Sequence, residues 1–202
     1  MSAVPGRLLT DPAWISARIG EMSRAWGTDA ARVGGTLWWC MVASALVEQI
    51  TRAYAAGAPA PIAALDDLDC EVRPDGGVEH VRFRSTSAPD AAEAVAVALR
   101  ETLTAVIHQV AAVSGAGVPA LWAVVADAIG NRALDAGAGE AGTRLAAEVG
   151  GRLPAPRFVT VGERTFVKRI SCCLVYEVPG CQMCTSCPKR PAAERAALLA
   201  EA

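Results

Sequence analysis

Residues 29–57 read DAARVGGTLWWCMVASALVEQITRAYAAG, a run of helix-forming residues without proline that ends in glycine. The pattern predicts a long helix that begins at Asp29 or Ala30 and ends at Ala56, with Gly57 as its stop signal. Several large apolar side chains are spaced to share one face of this helix: Leu37, Val42, Leu46 and Ile50. A helix of this kind packs against a hydrophobic core, so the fold is predicted to be built on helices.

Further helical patterns and one hairpin surround this helix within the first 150 residues. Asp11-Pro12 is a helix start, and Ala88-Pro89-Asp90 opens another helix that reaches Val113. The predicted helices outside the quoted run cover 13–26, 90–113, 119–134 and 140–149. Two short alternating runs, 70–73 and 78–83, flank a turn sequence and predict a β-hairpin.

The composition changes after Gly150-Gly151. Leu153-Pro-Ala-Pro156 is a stiff connector, and two short strands are expected within 157–170, before a cysteine-rich stretch and a terminal helix over 192–200. The sequence therefore predicts a mainly α protein with a small β component, in the α+β class. We expect a helical domain over 1–150, with its hairpin near 70–83, and a separate C-terminal segment over 151–202.

Composition and charge narrow the class of protein. Hydrophobic residues make up 52% of the chain and charged residues 20%, which is typical of a globular protein. A formal net charge of −2 argues against nucleic acid as a partner. The N-terminus carries no secretion signal, so a cytoplasmic location is expected. The apolar run 102–126 is divided by Ser114–Pro119 into two helices, and loose membrane association through a partner is an open alternative.

Five of the seven cysteines fall between Cys172 and Cys187, in the sequence CCLVYEVPGCQMCTSC. Such crowding in a cytosolic protein indicates metal binding rather than disulfides. Cys184 and Cys187 form a C-x2-C turn, whose spacing lets two sulfurs converge on one centre. Val178-Pro-Gly180 forms a second turn, which would fold the chain back so that the adjacent Cys172-Cys173 pair faces the trailing pair.

Neighbouring cysteines favour an iron–sulfur cluster over zinc, because zinc sites usually separate their ligands by two to four residues. Zinc and a redox dithiol or disulfide both remain alternatives at this stage. Positive side chains lie on both sides of the cysteines, and Lys168, Arg169 and Lys189 are candidates for tuning a cluster or contacting a substrate. The alternative for each of these residues is a solvated basic surface.

The order C-C-x10-C-x2-C, met by Cys172, Cys173, Cys184 and Cys187 and preceded by Lys168-Arg169, resembles the C-terminal signature of the FhuF-like siderophore-iron reductases. Three upstream stretches are similar to the family's N-terminal region: Gly35–Trp39, the Pro74-Asp-Gly hairpin and Ala120–Trp122.

The resemblance implies a [2Fe–2S] cluster held by those four cysteines, with no catalytic residue beyond them. It also implies a ferric siderophore as substrate and an external electron donor, either a protein or a small reductant. Cys181 departs from the signature, because it forms a competing C-x2-C with Cys184 and puts the choice of ligands in question. A [2Fe–2S] electron carrier without siderophore activity and a zinc-stabilised interaction module are the alternative functions.

A literal G-x-G-x-x-G at 137–142 would indicate a dinucleotide site only if it followed a strand. It follows a predicted helix instead, so no nicotinamide or flavin site is expected. His80 and His108 are interpreted as structural, and the isolated Cys40 and Cys70 as small buried apolar residues.

Overall fold

A computed structural model describes residues 2–88 and 91–201 of the chain. Its helices are α1 Pro12–Trp26, α2 Ala31–Ala56, α3 Ala92–Ser114, α4 Val118–Asp135, α5 Gly139–Val149 and α6 Ala192–Ala200. Its strands are β1 Ser2–Pro5, β2 Leu68–Val72, β3 Val78–Phe83, β4 Phe158–Val161 and β5 Arg164–Val167. The protein is therefore α+β, as the sequence predicts. The predicted start of α3 at Pro89-Asp90 lies outside the described residues.

Helix α2 is the centre of the helical body and packs against α1, α3, α4 and α5. The four predicted apolar residues Leu37, Val42, Leu46 and Ile50 are all buried, and so are both tryptophans. The Trp38 indole N–H donates to the Gly76 carbonyl and that of Trp39 to the Leu121 carbonyl, each at 2.9 Å. Leu37 lies nine residues from Leu46 and therefore on the opposite side of the helix, so the expectation that it shares their face was wrong. It is buried all the same, because a helix surrounded by other elements is apolar around most of its circumference.

The predicted hairpin is present as β2 and β3, and it carries one more strand. Strand β1 pairs with β2 in the antiparallel order β1-β2-β3. Gly76 occupies the turn with φ of +82°, and a Cβ there would lie 2.4 Å from the Arg18 carbonyl oxygen of α1. The sheet therefore contacts the helical body through a turn that only glycine fits. Strand β1 was not predicted, because its four residues show no alternating pattern.

The apolar run 102–126 forms two helices, as predicted. Helix α3 ends at Ser114, Gly115 takes a left-handed conformation, and α4 begins at Val118 with Pro119 in its first turn. By length and composition α2 and α3 could each cross a membrane, yet 72% and 44% of their most apolar windows are buried inside the protein. Core helices meet the same criteria, so these two helices are weak evidence for a membrane span.

The glycine motif 137–142 lies at the junction of α4 and α5. Gly139 begins α5, and a Cβ on Gly142 would lie 2.8 Å from the Cβ of Ala133 on α4. These glycines allow two helices to pack closely, and the preceding element is a helix rather than a strand. The structure therefore agrees with the rejection of a dinucleotide site.

Candidate metal centre

The chain reaches the cysteine segment through the β4-β5 hairpin, which lies against α4. Val167 of β5 is buried there, and a Cβ on Gly130 would lie 3.1 Å from the Val167 side chain. The Lys168 backbone N–H donates to the Arg157 carbonyl at 2.8 Å and extends the pairing of the hairpin beyond its two strands. Because Gly130 has no side chain, the hairpin packs closely on α4 and places residues 168–171 at the surface of that helix.

Asp127 of α4 anchors the residues that come directly before the first cysteine. Its carboxylate is 3% exposed and accepts from the Ile170 N–H at 3.0 Å and from the Ser171 N–H at 2.9 Å. The Ser171 hydroxyl donates to the same carboxylate at 2.6 Å, and Arg169 Nε lies 3.6 Å from it. Because a buried carboxylate needs such partners, this side chain fixes the position and direction of residues 169–171.

The Cys172-Cys173 pair is followed by a bend in the backbone at Leu174, whose φ is +63°. This bend places the Leu174 N–H beside the Cys172 sulfur and the Val175 N–H beside the Cys173 sulfur, and each favours the thiolate form of its cysteine. Left-handed backbone at a leucine is uncommon and costs free energy, so it indicates that the surroundings hold it in place. The bend turns two backbone donors towards two sulfurs, where they stabilise negative charge.

Two turns then bring the trailing cysteines back to the leading pair. Gly180, with φ of +78°, follows Pro179 in a turn closed by the Cys181 N–H donating to the Val178 carbonyl at 3.0 Å. The Cys187 N–H donates to the Cys184 carbonyl at 3.1 Å. The turn predicted at Val178–Gly180 is thus present.

The four predicted ligands form two nested pairs. In the inner pair Cys184 lies beside Cys173 and lowers its pKa, and in the outer pair Cys187 lies beside Cys172 and contributes, after burial, to its raised pKa. Cys187 is 2% exposed and the other three are half-buried, so the centre lies at the edge of the helical body.

The Arg169 guanidinium lies between the Asp127 carboxylate and the inner cysteine pair, Cys173 and Cys184. Its Nη1 donates to Cys184 Sγ at 3.6 Å and its Nη2 to the Ser171 hydroxyl at 3.4 Å. Hydrogen bonding with Cys184, the Val175 N–H and the Arg169 guanidinium together lower the pKa of Cys173 to about 5. The contact with Cys173, and burial, raise the pKa of Cys184. Within the inner pair Cys173 is therefore the thiol that ionises more readily, and the thiolate is the form that binds a metal.

Two arginines support the trailing loop by binding its carbonyl groups. Arg190 Nε donates to the Cys184 carbonyl at 3.0 Å and Nη2 to the Met183 carbonyl at 2.6 Å. Arg195 of α6 donates to the Cys187 carbonyl at 3.3 Å. Arg190 and the α6 residue Arg195 thus hold the loop, a role that was not predicted for either arginine.

The three predicted basic residues have different surroundings. Arg169 contacts the thiols directly, whereas Lys189 lies over the Tyr176 ring, 4.8 Å from its centroid, and hydrogen-bonds to its hydroxyl. The Lys168 side chain is exposed and forms no hydrogen bond or ion pair within residues 2–88 and 91–201. Asp127 was missed altogether, because a single aspartate in an apolar helix has no spacing that links it to cysteines 45 residues later.

The isolated cysteines also differ from each other. Cys70 is buried in β2 as expected, but Cys40 of α2 is half-buried and lines a cavity together with Cys173 and Arg169. Burial raises the pKa of Cys40 to about 12, so its thiol stays protonated. The two histidines interpreted as structural are exposed side chains, His80 on β3 and His108 on α3.

The residues present fit a dinuclear cluster. Four thiols in two pairs match the demand of two metal atoms for two protein ligands each, and the N–H and guanidinium donors match the negative charge of the thiolates. Among residues 2–88 and 91–201, no group of three or more His, Cys, Asp or Glu side chains is arranged to hold a single metal ion.

Residues 169–189 match the FhuF 2Fe-2S C-terminal domain. The match confirms the resemblance to the FhuF-like family over this segment and indicates a [2Fe–2S] cluster rather than zinc. It covers about a tenth of the chain, and the similarity of the upstream stretches to FhuF-like proteins stays a prediction. No curated protein matches the chain. The choice of four ligands among the five clustered cysteines also stays a prediction.

Proposed function

We propose that this protein is a cytoplasmic ferric-siderophore reductase, which delivers one electron to chelated Fe3+ and thereby releases iron as Fe2+. The match of residues 169–189 to the FhuF 2Fe-2S C-terminal domain carries this proposal. Siderophores hold Fe3+ through hard oxygen donors, and these bind Fe2+ much less tightly. One electron therefore suffices for release and leaves the chelator intact.

The proposed ligands are Cys172, Cys173, Cys184 and Cys187, the two nested pairs. A [2Fe–2S] cluster bound there would supply electrons singly, as the reduction of Fe3+ requires. Cys181 is assigned no ligand role, because the four positions of the signature are filled without it and its backbone closes the turn between the pairs.

The residues around the thiols would make electron uptake more favourable. Arg169 brings a positive charge to the inner pair, and the Leu174 and Val175 N–H groups lie beside one sulfur of each pair. Hydrogen bonds to ligand sulfurs and nearby positive charge raise the reduction potential of iron–sulfur centres. Asp127 supports this arrangement, since it holds Arg169 and the backbone up to Ser171.

The electron would come from outside the chain, from another protein or a small reductant. The glycine motif at 137–142 is used for packing, which supports an external donor over a bound nucleotide. Loose membrane association through such a partner is compatible with the proposal, and nucleic acid is not a proposed partner.

The proposal is tested with anaerobically purified protein, in which iron and sulfide are counted and the visible and electron paramagnetic resonance spectra are recorded. The protein is first reduced by dithionite, and the excess reductant is removed. On stopped-flow mixing, ferric siderophores from a panel should then take up one electron per cluster and reoxidise the protein. A ferrous trap should then collect an equal amount of Fe2+. The Cys181→Ala variant is the matched control and should behave as wild type.

Two results would replace the proposal with its rivals. A protein that stays reduced with every chelate would be an electron carrier without siderophore activity. A colourless protein that contains zinc and no sulfide would be a zinc-stabilised interaction module.

A further inference from the structure

A cavity of about 230 Å³ opens beside the inner cysteine pair, between α2 and α4. Its inner end is formed by Cys173 and Arg169, and Cys40 lies on the α2 side. Polar side chains follow towards solvent: Ser44, Asn131 and Arg132. The cavity thus connects a proposed cluster ligand to the surface of the helical body.

The cavity offers hydrogen-bond donors but little net charge. Arg132 pairs with Asp135 at 3.0 Å, and Arg169 lies 3.6 Å from Asp127, so each guanidinium has a carboxylate neighbour. Arg132 is also held by the Ser44 hydroxyl, at 3.1 Å from Nε and 3.0 Å from Nη2. A guanidinium has five N–H groups, and these contacts leave some of them free for a ligand.

Asn131 adds further donors at the mouth. Its side chain is exposed and forms no hydrogen bond within the part of the chain that the structure describes. Oxygen acceptors on an uncharged ligand suit these walls better than a strongly anionic group, because Asp127 and Asp135 already offset the charges of the two guanidinium groups.

We propose that this cavity is the docking site of the ferric chelate, with Ser44, Asn131 and Arg132 binding its oxygen-bearing edge next to Cys173. This inference rests on the proposed function. The volume is smaller than the usual range of about 300–1,000 Å³ for drug-sized ligands, so only one arm of the chelate enters and the rest lies at the mouth. Seating the chelate against Cys173 gives the electron a short route, since electron transfer slows steeply with distance.

Equilibrium binding tests the site without any electron transfer. Ga3+ has the charge and nearly the size of Fe3+ but is not reduced in water, so the gallium complex of an uncharged tris-hydroxamate siderophore is the probe. Calorimetric titration of the oxidised holoprotein should give a single site. Asn131→Leu, which removes donors at an exposed position, and Ser44→Leu, which fills the cavity, should each weaken binding about tenfold, the effect of losing one or two hydrogen bonds. His108→Leu, an exposed change on α3, is the control and should bind as wild type.

Stopped-flow kinetics separate this inference from the proposed function. With the corresponding ferric complex, the observed rate should saturate, and both variants should raise the half-saturating concentration about tenfold, in line with the binding change. If the ferric complex reoxidises the wild type and both variants with the same half-saturating concentration, the proposed reductase function stands and the docking site is overturned. Variants that slow only the reduction by dithionite would assign the cavity to the donor and overturn it as well. A wild type that no chelate reoxidises would remove the proposed function and this inference together.

Discussion

The helical body and the C-terminal segment are held together by different forces. Residues 1–150 contain eleven Lys and Arg against seventeen Asp and Glu, whereas residues 151–202 contain eight against four, so their net charges are −6 and +4. The body buries most of its apolar side chains in one core. The segment buries few, and it is fastened by the Asp127 carboxylate and by arginines that bind loop carbonyls.

The difference indicates that the two regions depend on the metal to different degrees. A core of this size is stabilised by apolar burial, which needs no cofactor. A loop of short turns around four thiols has little apolar surface to bury, so a bound cluster would supply much of its folding free energy. The division at residue 150 itself stays a prediction, because Val167 and Ser171 pack tightly against α4.

The largest expected effect is the loss of one ligand. Replacing Cys172, Cys173, Cys184 or Cys187 by serine should each abolish or distort the visible spectrum, because serine is a poor match for iron that needs thiolate. The far-ultraviolet circular dichroism of the helical body should remain, while hydrogen exchange over 172–190 should become fast. The Cys181→Ala variant should keep its iron and sulfide, and its hydrogen exchange over 172–190 should stay slow. Loss of the cluster in Cys181→Ala with retention in Cys187→Ser would shift the ligand set by one turn.

Removing the anchor should have the next largest effect. Asp127→Asn keeps the size of the side chain but replaces one acceptor oxygen by a donor that faces the Ile170 and Ser171 N–H groups. Changes to such supporting residues typically cost about 10–100-fold in metal affinity, so iron content should fall under mild chelation. Asp135→Asn, an exposed change on the same helix, is the matched control. Equal iron retention in both variants would show that the anchor is dispensable.

The cysteines and Asp127 also show which features of the site could be predicted from the sequence and which could not. The cysteine spacing predicted the metal centre, and Asp11-Pro12 and Gly57 predicted helix ends, because caps and ligand spacing are local signals. Asp127, Arg190 and Arg195 act through tertiary contacts with backbone groups, which no local pattern encodes. The same reason explains Cys40, which was interpreted as an isolated core residue and lies beside Cys173.

A smaller effect should come from Arg169, which contacts the inner pair. Arg169→Gln removes a positive charge and a donor 3.6 Å from Cys184 Sγ, so the reduction potential should fall. A shift on the order of 60 mV, equal to a tenfold change in a one-electron equilibrium, is expected. Potentiometric titration followed by electron paramagnetic resonance measures it. Lys168→Gln, at the neighbouring exposed side chain, should shift the potential far less. Equal shifts in the two variants would mean that the reduction potential depends on the net charge of the segment and not on the contact between Arg169 and Cys184.

The smallest effect should come from Lys189, at the outer, exposed side of the centre. Its ammonium contacts the Tyr176 ring and hydroxyl, and that hydrogen bond raises the pKa of Lys189, so its charge persists across the physiological pH range. In the net positive segment this charge would attract an anionic chelate at long range without binding it. Lys189→Gln should therefore slow reoxidation by an anionic ferric chelate by less than about threefold at 0.01 M salt, and the difference should vanish near 1 M, where the screening length is about 3 Å. An uncharged chelate should show no difference at either salt concentration. Arg52→Gln removes an exposed cation from the helical body and is the control. If both variants slow the reaction equally, steering comes from the total charge of the protein, and the contrast between the acidic body and the basic segment has no role in the approach of the substrate.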